Sequence, residues 1–128
     1  MAFTFDTVVD GDVDGLVPRV TEALKAEGFG VLTEINVKET LKKKLDVDFR
    51  PYRILGACNP PFALKALTAE PLIGSMLPCN VVLQEDGPGR VKVSAVDPVA
   101  SMAGVGNPAL GPIAAEIQAR LKRVIASL

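Results

Sequence analysis

The sequence predicts an α+β fold, a two-layer sandwich in which one sheet carries helices on one face. Segments with a two-residue hydrophobic period alternate with segments of helical period. Each strand segment has one polar face, which is typical of a sheet covered on one side only. The element order is β-α-β-β-α-β-β-α, and its first six elements match the ferredoxin-like order. A mixed or largely antiparallel sheet is therefore expected.

The chain length predicts a single domain over residues 1–128. A chain of 128 residues buries roughly two thirds of its unfolded surface in one core. No internal repeat, low-complexity tract or long linker divides it. Hydrophobic residues make up 48% and charged residues 23%, the composition of an ordinary globular protein.

The first strand and helix follow from periodicity and capping. Residues 3–9 alternate as a half-buried strand, and Asp12 or Asp14 can cap the helix that follows. Gly28 is placed to end this helix, because glycine readily adopts the left-handed conformation found there. The predicted buried face contains Leu16, Val17, Val20, Ala23 and Leu24.

The middle of the chain predicts two strands and a helix broken by proline. Residues 30–37 form a strand, "KETLKKKLDVDF" follows as a short helical turn, and "YRILGAC" is the third strand. Asn59 is then expected to cap a helix whose first position is Pro60. Proline at position 71 disfavours helical geometry in the residue before it, so a shorter turn is expected over 71–76.

The last third of the chain predicts a hairpin and a long helix. "CNVVLQED" and "RVKVSAV" flank "GPG" as two strands joined by a turn. The pairs Asp97-Pro98 and Asn107-Pro108 repeat the pattern of a capping residue before a first-turn proline. The final helix has an apolar stripe that must cover another element, formed by Leu110, Ile113, Ala114, Ile117, Leu121, Val124, Ile125 and Leu128.

Composition excludes several classes of function. The chain has no histidine, which removes the usual proton carrier at neutral pH and the commonest metal ligand. The formal net charge is -1, and no stretch is basic enough to bind duplex nucleic acid. The N-terminus lacks the pattern of a signal peptide, and no window approaches a membrane span. We expect a cytoplasmic protein with no nucleic acid or membrane partner.

Two Cys-Asn pairs form the main candidate site. Cys58-Asn59 ends a strand and Cys79-Asn80 begins one, and the broken helix between them could return the chain to the same sheet edge. Two thiols and two amides would then converge beside a helix N-terminus, which suits a small anionic ligand or a nucleophilic thiolate. The structural interpretation is favoured: buried cysteines, a helix cap and a satisfied strand edge. An uninterrupted helix would place the pairs at opposite ends.

Other candidates have stronger structural explanations. Asp97, with Ser94, could bind a ligand or act in acid–base chemistry, but an aspartate before proline is more often a cap. A basic cluster could receive a phosphate, but a short charge run is more often a solvated helical face. It contains Lys42, Lys43, Lys44, Arg50 and Arg53, with Tyr52 beside them. Two cysteines cannot complete a structural zinc site without a second subunit, so we expect no metal and no cofactor.

Five motifs in order resemble one known family. They are "TLKKKLDVDFRPY", "ILGACNPPFALKAL", "LPCNVVLQEDG", "VSAVDP" and "NPAL". The resemblance that they carry covers nearly the whole chain. The sequence is similar to the domain of unknown function 302 family. The resemblance implies a small bacterial α+β protein that is dimeric and has no assigned activity. The Asn59-Pro60, Pro78 and Asp97-Pro98 positions match the general pattern, whereas both cysteines match only a subset.

Two hypotheses about function remain open from the sequence. The favoured one is a homodimeric module that binds a small ligand or another protein near the two Cys-Asn pairs. The alternative is a thiol-dependent enzyme or redox sensor that uses Cys58 or Cys79, and whether the chain is an enzyme stays undecided. A pocketless structural homo-oligomer is a third hypothesis. Thiol reactivity against pH separates the first two, since a reactive cysteine needs an accessible thiolate.

Overall fold

The computed structural model describes residues 2–128 and contains a five-stranded sheet whose neighbouring strands all run antiparallel. The strands lie in the order β1-β5-β4-β3-β2. The predicted α+β class, the order of the elements and the largely antiparallel sheet are therefore confirmed. The strands are β1 (Thr4–Asp10), β2 (Gly30–Asn36), β3 (Tyr52–Cys58), β4 (Cys79–Glu85) and β5 (Arg90–Val96).

In the described part of the chain, five helices connect and cover the strands. Because β1 and β2 lie at opposite edges, the first helix spans the sheet between them. Within residues 2–128, no helix is both long enough and apolar enough to cross a membrane. The helices are α1 (Val13–Ala26), α2 (Val37–Leu45), α3 (Pro60–Ala69), α4 (Pro98–Met102) and α5 (Leu110–Ala126), with 3-10 turns at Pro71–Met76 and Ala103–Val105.

The main core lies between the sheet and the helices α1 and α5. Leu24 of α1, Leu55 of β3 and Leu121 of α5 have no exposed surface. They belong to one apolar cluster together with the buried residues of β4 and β5. A smaller cluster of Ala66, Ile73, Met102, Leu110 and Ala114 joins α3, its following 3-10 turn, α4 and α5. The apolar stripe predicted on the last helix thus covers both the sheet and the shorter helices.

Aspartate side chains cap two helices as the sequence predicts. Asp12 Oδ2 accepts a hydrogen bond of 3.2 Å from the backbone N–H of Gly15. Asp97 Oδ1 accepts one of 3.0 Å from Val99 and a longer one from Ala100. These bonds satisfy backbone donors that have no partner within the helix.

The start of α5 differs from the prediction by a few residues. Regular helix begins at Leu110, not directly after Asn107. The side chain of Asn107 instead bridges two segments: its Oδ1 accepts from the N–H of Ala109, and its Nδ2 donates to the carbonyl of Ala69. Its hydrogen bonds tie the end of α3 to the approach of α5, so tertiary contacts delay the helix start.

The sheet is unusually tight around Gly56 in β3. This residue pairs with Thr33 of β2 on one side and with Asn80 of β4 on the other. A Cβ atom at Gly56 would collide with Thr33 Oγ1 and lie 2.7 Å from Cγ of Pro78. Pro78 follows a cis peptide bond from Leu77. Glycine is therefore required here because both neighbours approach the backbone too closely for a side chain.

Candidate functional site

A cavity of about 290 Å³ lies where β3 ends and β4 begins. The helical connection between the two strands is broken between Ala69 and Pro71, so the chain returns to the end of the sheet that it left. Ala57 is directly opposite Cys79 in the antiparallel ladder. Both cysteines and Asn59 therefore line the same cavity, and its other walls come from β2, α3, the following 3-10 turn, α4 and α5.

The cavity wall is almost entirely apolar. Its aromatic members are Phe29, which is buried, and Phe62, which is half-buried. Most of the remaining members are small or aliphatic: Leu32, Ala57, Ala63, Ala66, Leu67, Gly74, Leu77, Pro78, Met102 and Ile117. Such a lining, interrupted by a few polar groups, is typical of small-molecule sites in proteins. A second, more open cavity nearby shares Met102 with it.

The two thiols of the cavity are free and differ in exposure. Cys79 is 6% exposed, whereas Cys58 is half-buried. Desolvation by burial, with a smaller contribution from neighbouring Cys58, raises the pKa of the Cys79 thiol to about 11. Cys79 is therefore a protonated thiol at neutral pH, which is a poor nucleophile. If the protein uses a thiolate nucleophile at neutral pH, Cys58 is the remaining candidate.

Thiol labelling should separate the two cysteines by pH. We expect iodoacetamide to modify Cys58 at pH 8 and to leave Cys79 unmodified until the pH approaches 11 or the chain unfolds. Mass spectrometry of digested protein measures each site, and Cys58→Ser leaves Cys79 alone as a control. Labelling of Cys79 at pH 8 as fast as in urea-unfolded protein would contradict its burial.

The raised pKa of Cys79 also makes the free energy of unfolding vary with pH in the alkaline range. A raised pKa in the folded state means that the unfolded chain ionises first, so Cys79 stabilises the fold below about pH 9. This stabilisation is lost as the pH rises through about 11. Urea unfolding should show a loss of about 2 kcal/mol over that window, and Cys79→Ala should reduce the loss.

Asn59 departs from its predicted role as a side-chain cap. It occupies the N-cap position of α3, but its side chain makes no capping hydrogen bond. Its Nδ2 is turned towards the carbonyl of Glu27, at 3.5 Å. An N-cap side chain accepts from the second or third N–H of the helix, and because Pro61 has none, only Phe62 is left to donate. The two prolines also leave this helix start with fewer donors for an anion.

The structure does not bring the other two candidates into the cavity. Asn80 is exposed between buried Cys79 and Val81, so its side chain lies on the opposite face of the sheet. Asp97 caps α4 and also accepts a hydrogen bond of 3.1 Å from Gln118 Nε2 on α5. Of the five candidates, Cys58, Asn59 and Cys79 share the cavity, and Asn80 and Asp97 lie outside it.

The basic cluster from the sequence does not form a cationic pocket. Lys42 pairs with Asp46 and Asp48, and Lys43 pairs with Glu39. Arg53 contacts both Asp14 and Glu34. Desolvation lowers the pKa of Arg53, but the hydrogen bonds and charges of the two carboxylates together outweigh it, so the pKa is raised. Arg50 stacks on Phe49 and Tyr52 and donates two hydrogen bonds to Gln84. Four of the five cations in the basic cluster therefore already have a partner nearby in the structure.

Sequence reasoning missed most of the cavity wall. Phe29, Phe62 and Met102 carry no chemical motif and come from distant parts of the chain. Two cations lie against the ring of Phe62, with Lys65 Nζ and Arg120 Cζ each 5.2 Å from its centroid. Neither lines the cavity. No periodicity identifies such a wall, because apolar residues at helical spacing predict a core equally well.

Comparison with known proteins supports the motif-based resemblance. The profile of the family described as "Domain of unknown function DUF302" matches residues 5–128. The chain belongs to the DUF302 family. A comparison with curated proteins finds no match. A solved structure described as an uncharacterized conserved DUF302 protein from Bacillus stearothermophilus is 35% identical, with 98% of each chain covered and a TM-score of 0.90. The DUF302 fold therefore extends over the whole of both chains.

Proposed function

We propose that this DUF302 protein binds a small, mainly apolar molecule in the cavity beside Cys58 and Asn59. The observation that carries the proposal is an apolar cavity of about 290 Å³ built from seven separate elements. An engineered apolar cavity of about 150 Å³ holds one benzene, so this cavity has room for a molecule of about two rings. Water gains few hydrogen bonds from apolar walls, and its release favours an apolar occupant.

A thiol enzyme or redox sensor is the weaker candidate. The pKa of about 11 at Cys79 keeps that sulfur protonated. The expected homodimer and the cytoplasmic location stay predictions. The cavity lies within one chain, so ligand binding does not depend on a second subunit.

Indole provides a direct test of the proposed cavity. The chain has no tryptophan, so changes in indole fluorescence report binding against a low background. We expect saturable binding with a dissociation constant of about 0.1 mM for a molecule of this size. Absence of saturable binding up to about 5 mM would contradict the proposal.

Matched variants on α3 locate the binding. Ala63→Phe adds a ring in the cavity wall. Because this ring fills the space that indole would take, the affinity for indole should fall at least about 10-fold. Leu64→Phe adds a ring at the next, exposed position and should leave the affinity unchanged. Equal effects of both substitutions would place the binding outside the cavity.

A further inference from the structure

The side chain of Asn59 is fixed in one orientation by its surroundings. The carbonyl oxygen of Glu27 lies 3.5 Å from one branch of the amide, and Arg120 Nη1 donates to the same oxygen at 2.9 Å. A carbonyl only accepts hydrogen bonds, so the branch that faces it must be the amide nitrogen Nδ2. The amide oxygen Oδ1 therefore points away from Glu27.

This oxygen is an unused acceptor in a nearly closed environment. Asn59 is 6% exposed, and no residue among 2–128 donates a hydrogen bond to its Oδ1. No fully buried side-chain oxygen or nitrogen in that part of the chain lacks a partner. The oxygen must then keep some accessible surface, and the residue that carries it is one of the few polar members of the cavity wall. The prolines at positions 60 and 61 have no N–H that could occupy it.

We propose that Asn59 Oδ1 selects the ligand, which is an apolar molecule carrying one N–H or O–H donor. The inference rests on the proposed function, since it names the class of molecule that the cavity takes. In the empty cavity water can satisfy the oxygen, but an apolar ligand displaces that water. A ligand without a donor leaves the acceptor unpaired, which costs about 10-fold in affinity.

The same geometry disfavours an anionic ligand. A carboxylate at neutral pH brings acceptors only, and these would face the acceptor Oδ1 without a shared hydrogen. The cations beside Phe62, Lys65 and Arg120, do not line the cavity. Arg120 is further engaged by Glu116 at 3.1 Å. A neutral donor such as an indole N–H or a phenol O–H therefore replaces the small anion as the expected group.

Indole and benzofuran form a matched pair for the test. They share one two-ring skeleton, but benzofuran has a ring oxygen where indole has its N–H. Wild-type protein should bind indole about 10-fold more tightly than benzofuran in isothermal titration. In Asn59→Leu the indole affinity should fall to that of benzofuran, while benzofuran should bind at least as well as before. Asn80→Leu, on the other face of the sheet, should keep the preference for indole.

A second measurement keeps the inference falsifiable if Asn59→Leu does not fold. With ¹³C-labelled asparagine in the wild-type protein, indole should shift the side-chain carbonyl resonance of Asn59, and benzofuran should shift it much less. Equal affinities and equal shifts would overturn donor selection while leaving the cavity proposal intact. Tighter binding of 2-naphthoate than of indole would overturn it as well. Failure of all three probes to bind would instead remove the proposed function itself.

Discussion

Replacing Gly56 by alanine should destabilise the protein by about 3 kcal/mol, because there is no room for one methyl group. The added Cβ would collide with Thr33 Oγ1 and lie 2.7 Å from Cγ of Pro78. Thr33 Oγ1 can move away by a change of rotamer, but the ring of Pro78 is closed onto its own backbone, so relief on that side requires a shift of backbone. Urea unfolding followed by circular dichroism measures the loss. An unchanged slope of the free energy of unfolding against urea concentration would show that the unfolded state is unaffected.

Two further variants tie this loss to the close approach. Gly30→Ala is the matched control, since Gly30 also lies in a strand but a Cβ added there would meet no heavy atom within 4 Å. It should cost less than about 0.5 kcal/mol. Thr33→Ala removes the colliding oxygen and should recover about 1 kcal/mol when combined with Gly56→Ala. A stable Gly56→Ala protein would contradict the close packing of Thr33 and Pro78 against Gly56.

Truncating Leu121 to alanine should cost about 3–4 kcal/mol, the range for a fully buried leucine that leaves a cavity. Leu121 has no exposed surface and lies in the main cluster between α5 and the sheet. The loss has two parts: the free energy gained by burying the removed atoms, and the van der Waals contacts that neighbouring side chains lose around the void. Thermal and urea unfolding should both show it.

An exposed leucine provides the comparison for this variant. Leu64 on α3 is 67% exposed, so Leu64→Ala should change the free energy of unfolding by less than about 0.5 kcal/mol. Similar losses for the two variants would mean that Leu64 is covered in solution, for example by a second subunit. A small loss at Leu121 alone would show that α5 does not cover the sheet.

Local sequence rules predicted the elements well because their causes are local. Local patterns predicted all five strands: alternation for the first two, a short apolar run for the third and a hairpin around "GPG" for the last two. The proline at position 71 marked the break after α3. Asp97 capped α4 as expected, since an aspartate side chain before a helical proline reaches the next N–H groups without help from elsewhere. Asn59 failed as a side-chain cap: Pro61, at the second position of α3, has no N–H to donate, and the Asn59 amide nitrogen turns towards the carbonyl of Glu27, distant in sequence.

The sequence could suggest but not decide the candidate site. It singled out Cys58, Asn59 and Cys79, and the antiparallel pairing of β3 with β4 then brought them together. It gave equal weight to Asn80, which strand alternation turns to the other face once the register is fixed. The raised pKa of Cys79 also depends on tertiary burial, so the preference for ligand binding over thiol chemistry could not be read from residue types.

The sequence by itself determined the class of fold, the strands and helices, the family and the glycine and proline positions that interrupt regular structure. These follow from backbone conformation and side-chain period within a few residues. The tertiary structure alone decided that β5 lies between β1 and β4, and that apolar side chains from distant segments enclose a cavity. Such contacts depend on which long-range pairings bury the most apolar surface, and that sum is taken over the whole chain.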